Sequence, residues 1–253
     1  MPTTLALKLL LTPALIGSSS LAGRRWGPAL GGWLVGLPFT SGPVAVFLVL
    51  DHGVAFGAQA AGGMLAGTIS QVAFTLAYRR LAWRGAWIAT AGGVVPFAAC
   101  TLTLSRLTLA PAVGLVATAG AIALGLALTA RTNAAGTVTH HLAWWDLPAR
   151  MAVATGFVVA VSTAAPVLGA QLSGLLSPFP FFGATLAVFA HHHDGDAAAG
   201  AVLRGLLYGL FAPAAFFFVL ATLLVSLGAV AAFAAATMTA LAAQGVTLAA
   251  LRR

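Results

Sequence analysis

The stretch Gly27–Phe39 (GPALGGWLVGLPF) recurs 142 residues later as Gly169–Phe181 (GAQLSGLLSPFPF). The register continues without a gap, and 16 of the 48 residues from Gly27 to Phe74 are identical to their counterparts. A gapless register that preserves glycine and proline is hard to obtain from biased composition alone. The chain therefore contains an internal repeat, and this repeat decides the predicted fold.

The composition identifies the class of protein. Of the 253 residues, 60% are hydrophobic and 6% are charged, and twelve Lys and Arg against four Asp and Glu give a net charge of +8. A soluble domain carries about a quarter charged residues, so a water-soluble globule is excluded, as is a disordered chain. The single Cys100 excludes a disulfide scaffold, and the dispersed arginines form no continuous basic face for nucleic acid. The remaining class is an all-α polytopic membrane protein, with the lipid bilayer as its first partner.

Nine apolar runs approach the length of about 20 residues that crosses the hydrocarbon core. We therefore predict about nine transmembrane helices. A signal peptide is the alternative for the first run, because Ser20-Leu21-Ala22 resembles a cleavage site. The nine predicted spans are 5–21, 31–50, 56–78, 87–104, 112–130, 151–168, 172–190, 205–225 and 228–251.

Basic residues fall mainly on one face of this nine-helix topology. Ten of the twelve lie on one side, and only Lys8 and Arg106 lie on the other. Because loops rich in Lys and Arg stay in the cytoplasm, we expect a multi-pass protein of the inner (plasma) membrane. Its N-terminus would lie outside the cell and its C-terminus in the cytoplasm.

The number of helices decides how the two repeats are oriented. Spans one to four correspond to spans six to nine, and span five is a linker, so span six enters the membrane from the side opposite to span one. We therefore predict two inverted four-helix repeats, which is a common plan of secondary transporters. The predicted parts are a first repeat (1–108), a linker helix with a cytoplasmic loop (109–147) and an inverted second repeat (148–253).

The first half also resembles a known family. The resemblance is carried by a basic residue in helix one, a basic pair before helix two, a motif inside helix two and an acid at its end: Lys8, Arg24 with Arg25, Leu37-Pro38-Phe39-Thr40-Ser41, and Asp51. This pattern is similar to that of the GlpM-like family of small four-helix bacterial inner-membrane proteins, over about residues 4–106 and, more faintly, 148–250. The resemblance implies a fused antiparallel pair in which span five makes the inversion obligatory. It implies no particular substrate.

Spans two and seven hold the first candidate site, because proline and glycine interrupt both helices at corresponding positions. Proline removes a backbone donor and clashes with the preceding turn, so both helices should kink or unwind. Broken helices at equivalent positions of inverted repeats indicate a substrate site, and the alternative is a packing kink without a ligand. The predicted pathway residues are Pro38, Thr40, Ser41, Gly42, Pro43, Pro178, Pro180, Gly183 and Thr185; further cavity candidates on span three are Gln59, Ser70, Gln71 and Tyr78.

Charged and titratable residues near the predicted span ends form a second group of candidates. Lys8 and Arg150 are equivalent in the repeat and would attract an anion at opposite mouths of one pathway, or else snorkel to the headgroups. Two acid–histidine pairs also occupy equivalent positions, Asp51 with His52 and His193 with Asp194. A carboxylate beside an imidazole can relay protons, and the alternative is a pair of polar loop caps.

The run His191-His192-His193-Asp194-Gly195-Asp196 resembles a metal site, but adjacent histidines on a helix cannot all point at one ion. We therefore predict a solvated loop here, with no metal and no cofactor. An enzyme is not predicted either. Lys8 is the sole lysine, which leaves no Walker lysine, and the sequence has no glutamate for an HExxH site and no GxSxG elbow.

These features favour a secondary transporter of a small solute that is anionic or zwitterionic, because both predicted mouths are cationic. The pathway would run between the repeats at the broken spans two and seven. The alternative function is a non-transporting membrane subunit, or a lipid flippase, in envelope polysaccharide or lipid assembly. Its small-xxx-small patterns, such as Gly63-xxx-Gly67, would then pack against a partner. A homodimer stays open as a further arrangement.

Overall fold

The computed structural model describes residues 10, 13–14, 33–34, 37–129 and 146–251, and within them the chain is helical and has no strand. Most of the predicted first span lies outside the described residues. A short 3-10 turn, Ala82–Arg84, joins the second helix to the third. The helices are α1 Ser41–His52, α2 Val54–Leu81, α3 Ala86–Leu104, α4 Pro111–Leu128, α5 Asp146–Leu176, α6 Phe181–Gly209 and α7 Phe211–Leu251.

Five segments of the described chain are long and apolar enough to cross a membrane. They are Val54–Arg84, Ala86–Leu104, Pro111–Leu128, Met151–Leu176 and Asp194–Ala249. Large aliphatic side chains also cover the outside of the bundle, where Val167 is 91% and Val230 is 88% exposed. Such a surface suits lipid better than water. The structure is therefore compatible with the predicted helical membrane protein.

Single glycines connect most successive helices. Five of them have positive φ angles between 75° and 100°: Gly53, Gly85, Gly169, Gly195 and Gly228. A side chain is strongly disfavoured in this backbone region, which explains why glycine occupies each turn. The last three divide α5, α6 and α7 into a first and a second arm each (146–168 and 170–176, 181–194 and 196–209, 211–227 and 229–251).

The turn at Gly195 corrects the prediction of a solvated loop over the histidine run. His191 to Asp194 are helical and end the first arm of α6, and the second arm begins directly after Gly195. One glycine at φ 83° is enough to join the two arms, so no loop is needed. The equivalent glycine of the first half, Gly53, has nearly the same backbone angles and joins α1 to α2.

Contacts between helices fix their relative directions in the first half. The Thr101 hydroxyl of α3 donates to Ser70 of α2 at 3.0 Å, midway along both helices that meet at Gly85, so these helices are antiparallel. The Thr118 hydroxyl of α4 donates to the Leu65 carbonyl of α2 at 2.9 Å. Further along, a Cβ on Gly125 of α4 would lie 3.0 Å from Val72 of α2. Residue numbers rise together in these two contacts, so α2 and α4 are parallel.

The second half places its equivalent of α2 in the opposite direction. Helix α6 continues into α7, since Leu210 and Ala214 donate backbone hydrogen bonds across the junction, and residues 196–227 thus form one long helix. At one end of α2, a Cβ on Gly57 would lie 3.1 Å from Leu224. At its other end, Arg79 and Arg204 donate to the same Thr129 carbonyl oxygen at 3.2 and 3.0 Å. The long helix therefore runs antiparallel to α2.

The described arginines are distributed unequally between the two ends of the bundle. We call the end where α2 finishes the arginine end, and it carries Arg79, Arg80, Arg84 and Arg204. Arg106 follows α3 and lies at the other end, which we call the Arg106 end. Trp83 and Trp87 are more than 70% exposed at the arginine end, as expected of aromatic residues at a membrane interface.

Candidate functional site

The chain leaves the helical path at the two predicted breaks, and it does so with the same hydrogen bonds. In the first break, Leu37 donates to Leu34, Phe39 to Leu37 and Gly42 to Pro38. In the second break, Phe179 donates to Leu176, Phe181 to Phe179 and Ala184 to Pro180. Each bond of the first set matches one of the second set at the repeat offset of 142 residues, and lengths agree within about 0.1 Å. The breaks predicted at Pro38 and Pro180 are therefore present and have one backbone geometry.

Both breaks line the same cavity, which has about 20 Å³ of water-accessible space. This volume accommodates roughly one water molecule. Of the predicted pathway residues, Gly42, Pro43 and Thr185 do not line it, and the Thr185 hydroxyl donates to the Phe181 carbonyl instead. The lining residues are Leu37, Pro38, Thr40, Ser41, Thr68, Gln71, Pro178, Phe179, Pro180, Phe181, Phe182, Gly183, Pro213 and Phe217.

Most of these lining residues are equivalent to one another in the repeat. Ten of the fourteen fall into pairs separated by 142 residues. The cavity is thus bounded by the same positions of the two halves, although their side chains differ. The five pairs are Leu37 with Phe179, Pro38 with Pro180, Thr40 with Phe182, Ser41 with Gly183, and Gln71 with Pro213.

The cavity lies near the middle of the bundle. Helix α1 runs for 12 residues from Ser41 to the Arg106 end, a distance of about 18 Å. The first arm of α6 runs for 14 residues, about 21 Å, to the arginine end. The N-termini of these two helices therefore meet at the cavity, while their bodies point away from each other.

Two buried polar side chains face the cavity. Ser41 is 5% exposed and Gln71 is 9% exposed, and neither side chain makes a hydrogen bond to another described residue. The Thr68 hydroxyl, in contrast, donates to the Met64 carbonyl of its own helix at 3.1 Å. None of the described lining residues carries a charge. Any ligand here would be held by neutral dipoles.

A larger pocket, of about 300 Å³, opens towards the Arg106 end. Residues of α2, the α3–α4 connection and α5 line it, among them Gln59, Gly63, Leu107 and Gln171. Between this pocket and the cavity, a Cβ on Gly67 of α2 would lie 2.6 Å from the Leu175 carbonyl and 3.1 Å from Pro178. Helix α2 and the second arm of α5 therefore close the gap with their backbones.

Phenylalanine rings close the cavity towards the arginine end. Phe179 lines the cavity, and its ring centroid lies 5.0 Å from that of Phe97 and 6.1 Å from that of Phe74. Both partners are almost fully buried. We call Phe74, Phe97 and Phe179 the ring cluster.

The predicted charged residues lie away from this cavity or outside the described residues. Lys8 belongs to the masked N-terminal stretch, and for Arg150 only the backbone, in the first turns of α5, is described. Asp51 and His52 end α1 at the Arg106 end, whereas Asp194 ends the first arm of α6 at the arginine end. The two acid–histidine pairs thus lie at opposite ends, and the side chain of His193 is not described.

The histidine run contacts aromatic residues of the first half. Nδ1 of His191 lies 3.5 Å from the Tyr78 hydroxyl, and the His192 ring lies 6.2 Å from that of Trp87. In the part of the chain that the structure describes, no group of three or more His, Cys, Asp or Glu side chains comes together as a metal site would require. The run therefore packs α6 against α2 and α3.

Several cavity residues were not identified as such from the sequence. Phe217 belongs to a phenylalanine run that we had interpreted as packing, and Thr68 had no assigned role. A signal for Thr68 exists, because it precedes the candidate Gln71 by three residues and shares its face of α2. Ser70 and Tyr78, two further candidates on α2, instead contact Thr101 and His191.

The chain matches no family model, and it has no significant match among curated proteins or solved structures. The similarity to the GlpM-like family thus depends on the short motif around Leu37–Ser41 and stays a prediction. Evidence about function comes from the geometry of the site itself.

Proposed function

We propose that this chain is a secondary transporter of a small solute, which binds in the cavity between the two helix breaks. The observation that carries the proposal is the meeting of both breaks, one from each half of the chain, around one cavity near the middle of the bundle. Non-helical backbone at membrane depth is tolerated where it lines a cavity or faces protein. Transporters place their substrate sites at such discontinuous helices.

The proposed architecture comprises nine transmembrane helices in two inverted four-helix repeats, with α4 as the linker helix. Two features support it. The backbone hydrogen bonds at the breaks match at the repeat offset, and α2 runs antiparallel to residues 196–227, its equivalent in the second half. An inverted repeat requires equivalent helices to run in opposite directions, as these do.

The distribution of arginines supports an orientation in the inner membrane. Four described arginines lie at the arginine end and Arg106 at the other, so the arginine end would be cytoplasmic. Helix α7 finishes at the arginine end, since its second arm starts from Gly228, near Leu224 and Gly57. The C-terminus would therefore lie in the cytoplasm and, with nine spans, the N-terminus outside.

Alternating access would operate on the two barriers that close the cavity. The glycine contacts between α2 and the second arm of α5 separate it from the larger pocket at the Arg106 end. The ring cluster separates it from the arginine end. With both barriers in place, the structure corresponds to a closed state, and loosening one barrier at a time would admit solute from one side only.

Flux through proteoliposomes tests this proposal. Purified chain is reconstituted, and uptake of a panel of radiolabelled anions, zwitterions and cations is compared with that of empty liposomes. Pro38→Ala and Pro180→Ala restore a backbone donor at each break and should lower flux by about tenfold, the effect of about 1.4 kcal/mol on the barrier. Pro96→Ala is the matched control, because Pro96 lies inside α3 and does not line the cavity.

The result that contradicts transport is absence of flux for the whole panel, together with normal behaviour of Pro38→Ala and Pro180→Ala in cells. The alternative of a non-transporting subunit or flippase in envelope assembly would then take precedence. It predicts a stable copurifying protein, or lipid movement, that tolerates the loss of polar groups at Thr40 and Ser41.

A further inference from the structure

We infer that the cavity binds a small monovalent anion, held by the backbone N–H groups of two helix N-termini and by the side chains of Ser41 and Gln71. The inference rests on the proposed function, since it names the class of solute that the transporter would take. It depends on four properties of the cavity: its unpaired donors, its occupied acceptors, its charge and its size.

Unpaired backbone donors are concentrated at the two helix starts. Helix α1 has no side-chain cap at its N-terminus, and α6 has none either. Among the described residues, no backbone acceptor pairs with the N–H groups of Ser41, Phe182 or Gly183. All three residues line the cavity, and first-turn N–H groups of a helix point out of its N-terminus. Such groups form a ready anion site when a ligand can reach them.

The carbonyl groups at the breaks are, by contrast, already used. In the second break, Gly174, Leu176, Phe179 and Pro180 each accept a backbone hydrogen bond. In the first break the same holds for the carbonyls of Leu34, Leu37, Pro38 and Thr40. A cation would need free carbonyl oxygens as ligands, whereas an anion needs free donors. The breaks offer donors.

Ser41 and Gln71 provide an independent reason to expect a ligand. Both side chains are more than nine-tenths buried, line the cavity and make no hydrogen bond to another described residue. A buried polar group without a partner is costly, so such groups usually have a water or a ligand beside them. The serine hydroxyl and the glutamine amide can both donate to an anion.

Charge and size narrow the class of anion. Each helix N-terminus carries about half a positive charge, so the two together balance roughly one negative charge. No described lining side chain adds to this, and a divalent anion would keep an uncompensated charge at membrane depth. The 20 Å³ of free space admits a body about the size of one water molecule, such as a halide or the carboxylate group of a small acid.

Binding by the full chain in nanodiscs tests the inference, with potassium gluconate as the background salt. Chloride, nitrate and formate should compete for one site in calorimetric titrations, whereas sulfate and the zwitterion glycine betaine should not bind there. A series from formate to butyrate separates the two sources of this chemistry. Loss of binding with chain length indicates a bare anion, and retained binding indicates a carboxylate group on a larger solute.

Variants locate the bound anion. Ser41→Ala and Gln71→Met should each weaken chloride binding by about tenfold, as expected when one hydrogen bond to a charged ligand is lost. Gln71→Glu places a negative charge against the anion and should abolish binding. Ser226→Ala is the matched control, because Ser226 is exposed and outside the cavity. If Gln71→Glu fails to fold, as judged by size-exclusion chromatography, the two neutral variants carry the test.

The outcomes separate this inference from the proposed function. Flux of a zwitterion or a cation that depends on Pro38, without anion binding, would overturn the anion site and leave the transporter intact. Anion binding that Ser41→Ala and Gln71→Met weaken, without flux of any solute, would support the site and overturn transport. Unchanged chloride affinity in Ser41→Ala, Gln71→Met and Gln71→Glu would overturn the site as drawn.

Discussion

Gly63 of α2 and Gly174 of α5 meet backbone to backbone. A Cβ added to Gly63 would lie 3.1 Å from the Gly174 Cα, and one added to Gly174 would lie 3.0 Å from the Gly63 Cα. The pattern Gly63-xxx-Gly67 predicts such close helix packing, and the structure confirms it. This contact forms the barrier between the central cavity and the pocket at the Arg106 end.

The contact makes Gly63 far more sensitive to substitution than its neighbour. We expect Gly63→Ala to destabilise the chain in detergent by about 1–3 kcal/mol, because the added methyl group overlaps the backbone of α5. Gly62→Ala is the control, since a Cβ there meets nothing within 4 Å. Thermal unfolding of both variants measures the difference, and equal melting temperatures would show that the two backbones do not touch.

The Gly195 turn allows backbone strain to be measured separately from packing. Its φ of 83° is unfavourable for any side chain, although a Cβ there would meet nothing within 4 Å. We expect Gly195→Ala to cost about 1–3 kcal/mol of stability. Gly156→Ala, at another open position with ordinary φ, should have no such cost. Thermal unfolding decides the matter, and a harmless Gly195→Ala would mean that α6 is not divided at this residue.

The hydrogen bond from Thr118 to the Leu65 carbonyl links the linker helix α4 to α2. Thr118 is fully buried, so Thr118→Val should lower stability by about 0.6–1.7 kcal/mol, the range measured for hydrogen bonds between membrane helices. Thr103→Val removes a hydroxyl that is exposed and bonds within its own helix, and it serves as the control. If both variants unfold alike, α4 does not dock through Thr118.

Anion binding should not depend on pH between about 6 and 8, the interval in which histidine titrates. No described residue that lines the cavity is titratable, and His52 and Asp194 lie at opposite ends of the bundle. Chloride affinity measured across this interval should stay constant in the unmodified chain and in His52→Gln. A change in affinity with a midpoint near pH 6.5 would instead couple the acid–histidine pairs to the site.

The sequence predicts the breaks because their cause is local. Proline at 38 and 180 removes a backbone donor wherever the chain is placed, and the repeat predicts that both breaks are equivalent. The helices α2, α3 and α4 were predicted to within about two residues of their ends for a similar reason, since their apolar runs are continuous.

Other features depend on partners that no local pattern specifies. The prediction of a solvated loop at His191–Asp196 was wrong because one glycine completes the turn and aromatic residues of α2 and α3 cover the histidines. That Gly174 would be the partner of Gly63 follows from the way α5 bends at Gly169, which sequence spacing does not show. The unpaired donors at Ser41 and Gly183 likewise become visible only once both helix starts are placed around one cavity.

Access to Ser41 and Gly183 from the two sides of the membrane tests the central claim most directly. Single cysteines are introduced at each position in a Cys100→Ser background and treated with a membrane-impermeant thiol reagent, in spheroplasts and in inside-out vesicles. Cysteines at Arg84 and Arg106 are the controls and should each react from one side. Alternating access predicts that the cysteines at 41 and 183 both react from both sides. If each reacts from one side only, or neither reacts, the two breaks do not form one pathway.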